Sequence, residues 1–286
     1  MERVCSKLKE KRSKITYYLP EFILGSAIFS ILISLVVIYL VDLHNFLELR
    51  DFLFSVNPAY LFFEHRPFAF YHWYRNGGIA ELLQWGALGG AAFISAFLAG
   101  KLQGKDKKAY LFWLIIGIAL VFMLIEDAGD PRHTIRSYVQ VVFSEAVQGT
   151  MGTITELIYF SILAMIPTYA ILRYGKILLE SLRSFVYILL GFISYAVATI
   201  LSFLGDGIDL YHNLGAEFRH WLVSKGDDSV AQQWQAWEAE EGWNFIDYFL
   251  MDSLIEEAIE LIGAAAFLAG AIAYLIFYFN SAAKDK

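Results

Sequence analysis

The chain has 286 residues, 58% of them hydrophobic and only 18% charged, with a formal net charge of −7 and a mean hydropathy of +0.51. Soluble domains sit at roughly 45–50% apolar and about 25% charged, so this composition excludes a disordered or collagenous chain and a nucleic-acid binder with a basic face. A single cysteine, Cys5, excludes a disulfide scaffold as well.

Read in chain order, residues 1–14 are basic and lead into a first apolar run at 21–41 with no small-residue cleavage site after it. That run therefore reads as an uncleaved anchor rather than a signal peptide. Five more runs follow, at 79–100, 110–125, 154–172, 185–204 and 254–279. A bilayer needs about 20 helical residues, and the third run is short for this unless it extends to Asp127. The expected fold class is all-α and polytopic: one six-helix domain over 21–280, a basic segment at 1–20 and a short tail at 281–286. The helices are expected to form three pseudo-repeated hairpins, at about 21–100, 110–172 and 185–279.

The connections alternate in length, and the cations follow the alternation. Of the 22 Lys and Arg, 15 lie at the termini and in the two short loops, which places those segments in the cytoplasm. Sorting the 29 acids by the same topology assigns 6 to that side and 23 to the other. The net −7 thus divides into about +9 on the cytoplasmic face and −16 on the outer face, where all 6 His also fall. The expected location is the plasma membrane, with the lipid bilayer as the first partner and both termini inside.

Some of the outer acids are expected to solvate the long loops. Others sit at span ends. Glu81, Glu156, Asp252 and Glu256 occupy the first turns of even-numbered spans, where a carboxylate complements the helix dipole. Asp42, Glu126, Asp127 and Asp206 occupy the last turns of odd-numbered spans, where it opposes the dipole. Ionisable groups at the edge of the hydrocarbon are costly and normally paired, yet only Arg75, Arg132, Arg136 and Arg219 lie close in sequence. Protonation, access to water or a bound metal would each resolve the imbalance.

Two span ends share the pattern Asp-x2-Asp-x2-His, as Asp127/Asp130/His133 and Asp206/Asp209/His212. Parallel repeats place matching residues around a common axis, which would bring these groups to one level with Glu156 and with Glu256 and Glu260. The last two stand at i, i+4 on one helix face. Asp, Glu and His together are the ligand set of Zn, Mn, Fe or Cu, whereas an all-oxygen subset suits Ca. The expected metal ligands are Asp127, Asp130, His133, Glu156, Asp206, Asp209, His212, Glu256 and Glu260. Glu81, Glu126, Arg132, Arg136, Asp252 and Glu257 would support or gate them. A simpler reading has Gly129 closing one helix, with Asp130 capping the next and Pro131 at its first position.

The long loops hold amphipathic stretches, notably 136–147 and 229–239, and six of the seven Trp lie near this face, as in an interfacial belt. These stretches read as membrane-lying helices, or as a lid that admits a lipid or small apolar ligand. No HExxH, Walker A, GxSxG or GxGxxG is present. Over one loop, Glu126 with His133-Thr134-Ile135-Arg136, and in general topology, the chain resembles the C subunit of copper membrane monooxygenases; no ligand is carried over from it.

Three functions remain open at this point. The first is a metal-dependent membrane enzyme acting on a lipid or small apolar substrate. The second is a divalent-cation transporter or sensor, and the third is a non-catalytic subunit or scaffold. A homo-oligomer is compatible with all three.

Overall fold

The structure, a computed structural model, describes residues 16–56, 68–75, 77–142, 145–207, 209–226 and 228–284. Among these residues every element is helical. In chain order they are α1 (Leu19–Val37), a π-helical turn (Ile38–Leu43), a short 3-10 turn (Phe46–Glu48), α2 (Leu49–Val56), α3 (Phe68–Tyr74) and α4 (Ile79–Leu102). Then come α5 (Lys107–Gly129), α6 (Pro131–Val142), α7 (Glu145–Tyr174), a 3-10 segment (Gly175–Glu180) and α8 (Leu182–Gly207). The last are α9 (Leu210–Lys225), α10 (Asp228–Glu241), α11 (Trp243–Met251), a second π-helical turn (Asp252–Glu256) and α12 (Glu257–Lys284).

Six stretches are long and apolar enough to cross a membrane: Leu19–Leu43, Ala69–Leu102, Lys107–Gly129, Ile154–Glu180, Leu182–Ser202 and Phe245–Ala283. The third does extend past Asp127, so it is not short. The sixth begins well before the expected residue 254. There Asp252, Glu256, Glu257 and Glu260 interrupt the hydropathy but not the helix, because a π turn carries the chain from α11 into α12.

The contacts divide the chain into two compact units. The first comprises Met1–Leu24, Gln84–Gly191 and Ala264–Lys286. It contains most of α4, all of α5, α6 and α7, and parts of α8 and α12. Its buried side chains include Leu88, Leu98, Phe112, Trp113, Ile116, Leu120, Ile188 and Phe267. Small residues let helices approach closely where association depends on packing rather than on the hydrophobic effect. A Cβ at Gly191 would sit 2.7 Å from the Phe267 ring, and one at Gly270 would sit 2.8 Å from Ile188. The Ser184 hydroxyl donates to the Gly270 carbonyl at 2.8 Å along the same α8–α12 seam. At the start of α5, Asp106 caps the helix by accepting from the Lys108 and Ala109 N–H groups at 2.8 and 3.1 Å.

The second unit comprises Gly25–Leu83 and Phe192–Gly263. It has a core of its own, built from Ile38, Val41, Leu43, Phe70, Tyr74, Tyr211, Leu222, Val230, Trp234, Trp237, Ile246 and Leu250. Trp234 and Trp237 are 3% and 1% exposed, which corrects their assignment to an interfacial belt. Val230, Trp234 and Trp237 share one face of α10, and that face is spent on the core. Helices α9 and α11 pack against each other. Gly215 makes this approach feasible, because a Cβ there would overlap the Asp247 carbonyl. A hydrogen bond of 2.6 Å between Ser34 Oγ and the Tyr74 hydroxyl ties α1 to α3.

Candidate functional site: carboxylates at the helix ends

In the first unit the site begins where α5 ends. Glu126 receives the Tyr159 hydroxyl of α7 and lies 3.7 Å from Arg132 Nε. The Arg132 guanidinium stands 5.0 Å from the centre of the Phe160 ring. One turn further along α6, Arg136 Nη1 donates to Glu156 Oε1 at 2.9 Å. The i, i+4 spacing of Arg132 and Arg136 puts both guanidinium groups on one side of α6, and that side packs on α7. Asp127 Oδ2 accepts from the Gln84 amide of α4 at 2.7 Å. The acids that oppose the dipole of α5 are thus answered by one cation from the following helix, Arg132, and by neutral donors from α4 and α7, while Arg136 answers Glu156 of α7.

The backbone between α5 and α6 departs from expectation. Gly129 is the last residue of α5, and the left-handed position falls on Asp130, with φ 45° and ψ 45°. The residue before a proline is disfavoured in the right-handed helical region. Asp is one of the few residues that adopts the left-handed region readily. Pro131 then opens α6 as expected, and the Asp130 carbonyl accepts from Thr134 N at 3.3 Å.

In the second unit Asp42 is 3% exposed, and each of its oxygens has a backbone donor. Oδ1 accepts from Ala69 N and Oδ2 from Phe70 N, both at 2.8 Å. Asp42 therefore caps α3, a helix whose first turn is 27 residues away in sequence. The π turn at Ile38–Leu43 carries it there. The carboxylate that opposes the dipole of its own helix complements the N-terminus of another. It also borders a void with room for at most one water, walled by Phe70, Leu222 and Trp234.

Glu81, 8% exposed, accepts from the Gly77 backbone N–H just ahead of its own helix. The carboxylate thus takes up an N–H at the start of its own helix, where its charge also complements the dipole. Arg219 and Asp247 form a buried bidentate pair, with Nε–Oδ1 at 2.6 Å and Nη2–Oδ2 at 3.0 Å.

Asp209 is exposed and left-handed (φ 52°), and its carbonyl starts α9 by accepting from Asn213 N at 3.0 Å. The two middle residues of the Asp-x2-Asp-x2-His pattern thus share a backbone state, and both side chains are exposed. The His212 ring lies 5.6 Å from that of Tyr248, and its buried Nδ1 has no hydrogen-bond partner among the described residues. Asp252, Glu256, Glu257 and Glu260 are half-buried, and each interacts within the chain. The side chains of His133 and Asp206 lie outside the described residues.

Of the expected ligands, Asp127, Asp130 and Glu156 belong to the first unit, and Asp209, His212 and Glu256 with Glu260 to the second. Among the described residues no group of three His, Cys, Asp or Glu is arranged to hold a metal ion. The partners that sequence reasoning missed are Gln84, Tyr159 and Asp247, together with the capping role of Asp42. The i, i+4 arginines were a usable local signal for Glu126 and Glu156. Nothing local announces a pair 28 residues apart, such as Arg219 and Asp247. Comparison of the chain with family models, with curated proteins and with solved structures returns no match.

Proposed function

We propose that this protein is a non-catalytic membrane subunit or scaffold with six spans, whose polar helix ends are braced by donors of the same chain. One observation carries the reading. Asp42, Glu81, Glu126, Asp127, Glu156 and Asp247 are each taken up by a donor from this same chain. Such carboxylates hold helix ends together. The outer orientation rests on the cation distribution, and the surplus of outer acids suits a cationic partner surface. A threefold hairpin plan is supported by the backbone after the odd spans, where Asn45, Asp130 and Asp209 have φ of 41°, 45° and 52°. The loop helices α6 and α10 would then be corresponding elements of that plan.

A second reading, a metal-dependent enzyme on a lipid or small apolar substrate, is favoured by the π turn at Asp252–Glu256. π turns recur at functional sites, and this one delivers Glu256, Glu257 and Glu260 together. Its ligands would come from the second unit, from Asp206, His212, Glu256 and Glu260, and would hold a divalent metal able to activate water.

Elemental analysis of full-length protein, purified without chelator, separates the two. The scaffold reading expects no stoichiometric metal. It also expects the charge exchange Arg136→Glu with Glu156→Arg to restore stability lost in either single variant. About one metal per chain, lost in the Asp206→Ala, Glu260→Ala double variant, would overturn it.

A further inference from the structure

Helix α6 is amphipathic in an unusual sense, because its two arginines are spent inward. At about 100° per residue, Ile135, Tyr138, Val139 and Val142 fall within an arc of about 100°. Arg132 and Arg136 lie along one edge of that arc, and Ser137 lies opposite it. Tyr138 and Val142 are 73% and 78% exposed, and Ile135 is exposed as well. The arginines pair with Glu126 of α5 and Glu156 of α7. They fix α6 at the level where one span ends and the next begins. Beside it, in the same unit, Ile125 of α5 and Ile154, Leu157 and Ile158 of α7 are also exposed apolar side chains. The spans beside α6 thus carry exposed apolar side chains within a turn of the two glutamates that its arginines hold.

We propose that α6 lies in the plane of the membrane, with Ile135, Tyr138 and Val142 inserted at the boundary between headgroups and acyl chains of the outer leaflet. This rests on the six-span reading. Interfacial helices commonly combine apolar burial with attraction of Lys and Arg to anionic lipid. Here the arginines already have carboxylate partners, so those ion pairs and apolar burial, rather than attraction to anionic lipid, hold the helix in place. Its depth is then independent of lipid charge.

The test uses full-length protein in vesicles of phosphatidylcholine, and of phosphatidylcholine with phosphatidylglycerol. Cys5 is replaced by Ser, and a spin label is placed in turn at positions 135, 137, 138, 142 and 158. The ratio of collisions with oxygen to collisions with a water-soluble nickel chelate is then measured. Labels at 135, 138 and 142 are expected to give ratios several-fold above the label at 137, and equal in the two lipids. The label at 158 on α7 reports the span itself. If 158 reads as lipid while 138 and 142 read as water, the in-plane helix is refuted and the spans stand. If 158 also reads as water, the six-span reading fails first. Exclusion of both reagents at 138 and 142 means that protein covers the face, either a second copy or a partner, and overturns the proposal. A rise in the ratio confined to the anionic vesicles overturns it too.

Discussion

Replacing Asp42 tests whether a carboxylate at a span end is structural. Its two oxygens accept from Ala69 N and Phe70 N at 2.8 Å, and the side chain is 3% exposed. Asp42→Ala leaves both N–H groups buried without this acceptor. An orphaned buried donor costs about 1–3 kcal/mol, so the expected loss is about 2–6 kcal/mol. The lost attraction between the carboxylate and the helix N-terminus adds to it. Asp42→Asn keeps one acceptor and turns an NH2 toward the other N–H, so roughly half that loss is expected. Two measurements read the effect in reconstituted protein. Denaturant unfolding followed by tryptophan fluorescence is informative because Trp234 borders the same void as Asp42. Hydrogen exchange over 69–74 reads α3 directly, and a loss of 2 kcal/mol raises its open population about 30-fold. The order of stability should be wild type, then Asn, then Ala. Unchanged protection of Ala69 and Phe70 in Asp42→Ala would refute the capping argument.

Removing one member of the buried Arg219–Asp247 pair strands a charge. Arg219→Met should cost about 3–5 kcal/mol in denaturant unfolding, while Arg219→Met with Asp247→Leu should recover most of it. If the double variant is no better than the single, the pair does more than neutralise charge. Gly215→Ala places a methyl group into the Asp247 carbonyl and forces α9 from α11; a loss of at least about 1–3 kcal/mol is expected. Gly86→Ala, whose Cβ meets nothing within 4 Å, should be tolerated in the same assay.

The spans were legible in the chain because hydrophobic runs of bilayer length need no tertiary context. The connection at Asp130-Pro131 was nearly legible, since proline opens a helix wherever it stands in the first turn. The left-handed position falls one residue later than Gly129 suggests, because the restriction that Pro131 imposes on Asp130 outweighs the freedom of Gly129. The carboxylates were harder to read. Counting charges exposed an imbalance, and a metal was a reasonable remedy for it. The structure supplies others: Arg132 and Arg136 for Glu126 and Glu156, Gln84 for Asp127, and a distant helix N-terminus for Asp42.

The helical class and the approximate spans can be read from the chain, because hydropathy and helix length are properties of local segments. What each charge meets depends on how the helices pack. Partners such as Arg219 with Asp247, or Asp42 with the start of α3, are brought together by helix packing and by a π turn, and neither follows from spacing along the chain. The −7 of the composition is a sum over such encounters, many of which end in a cap or an ion pair.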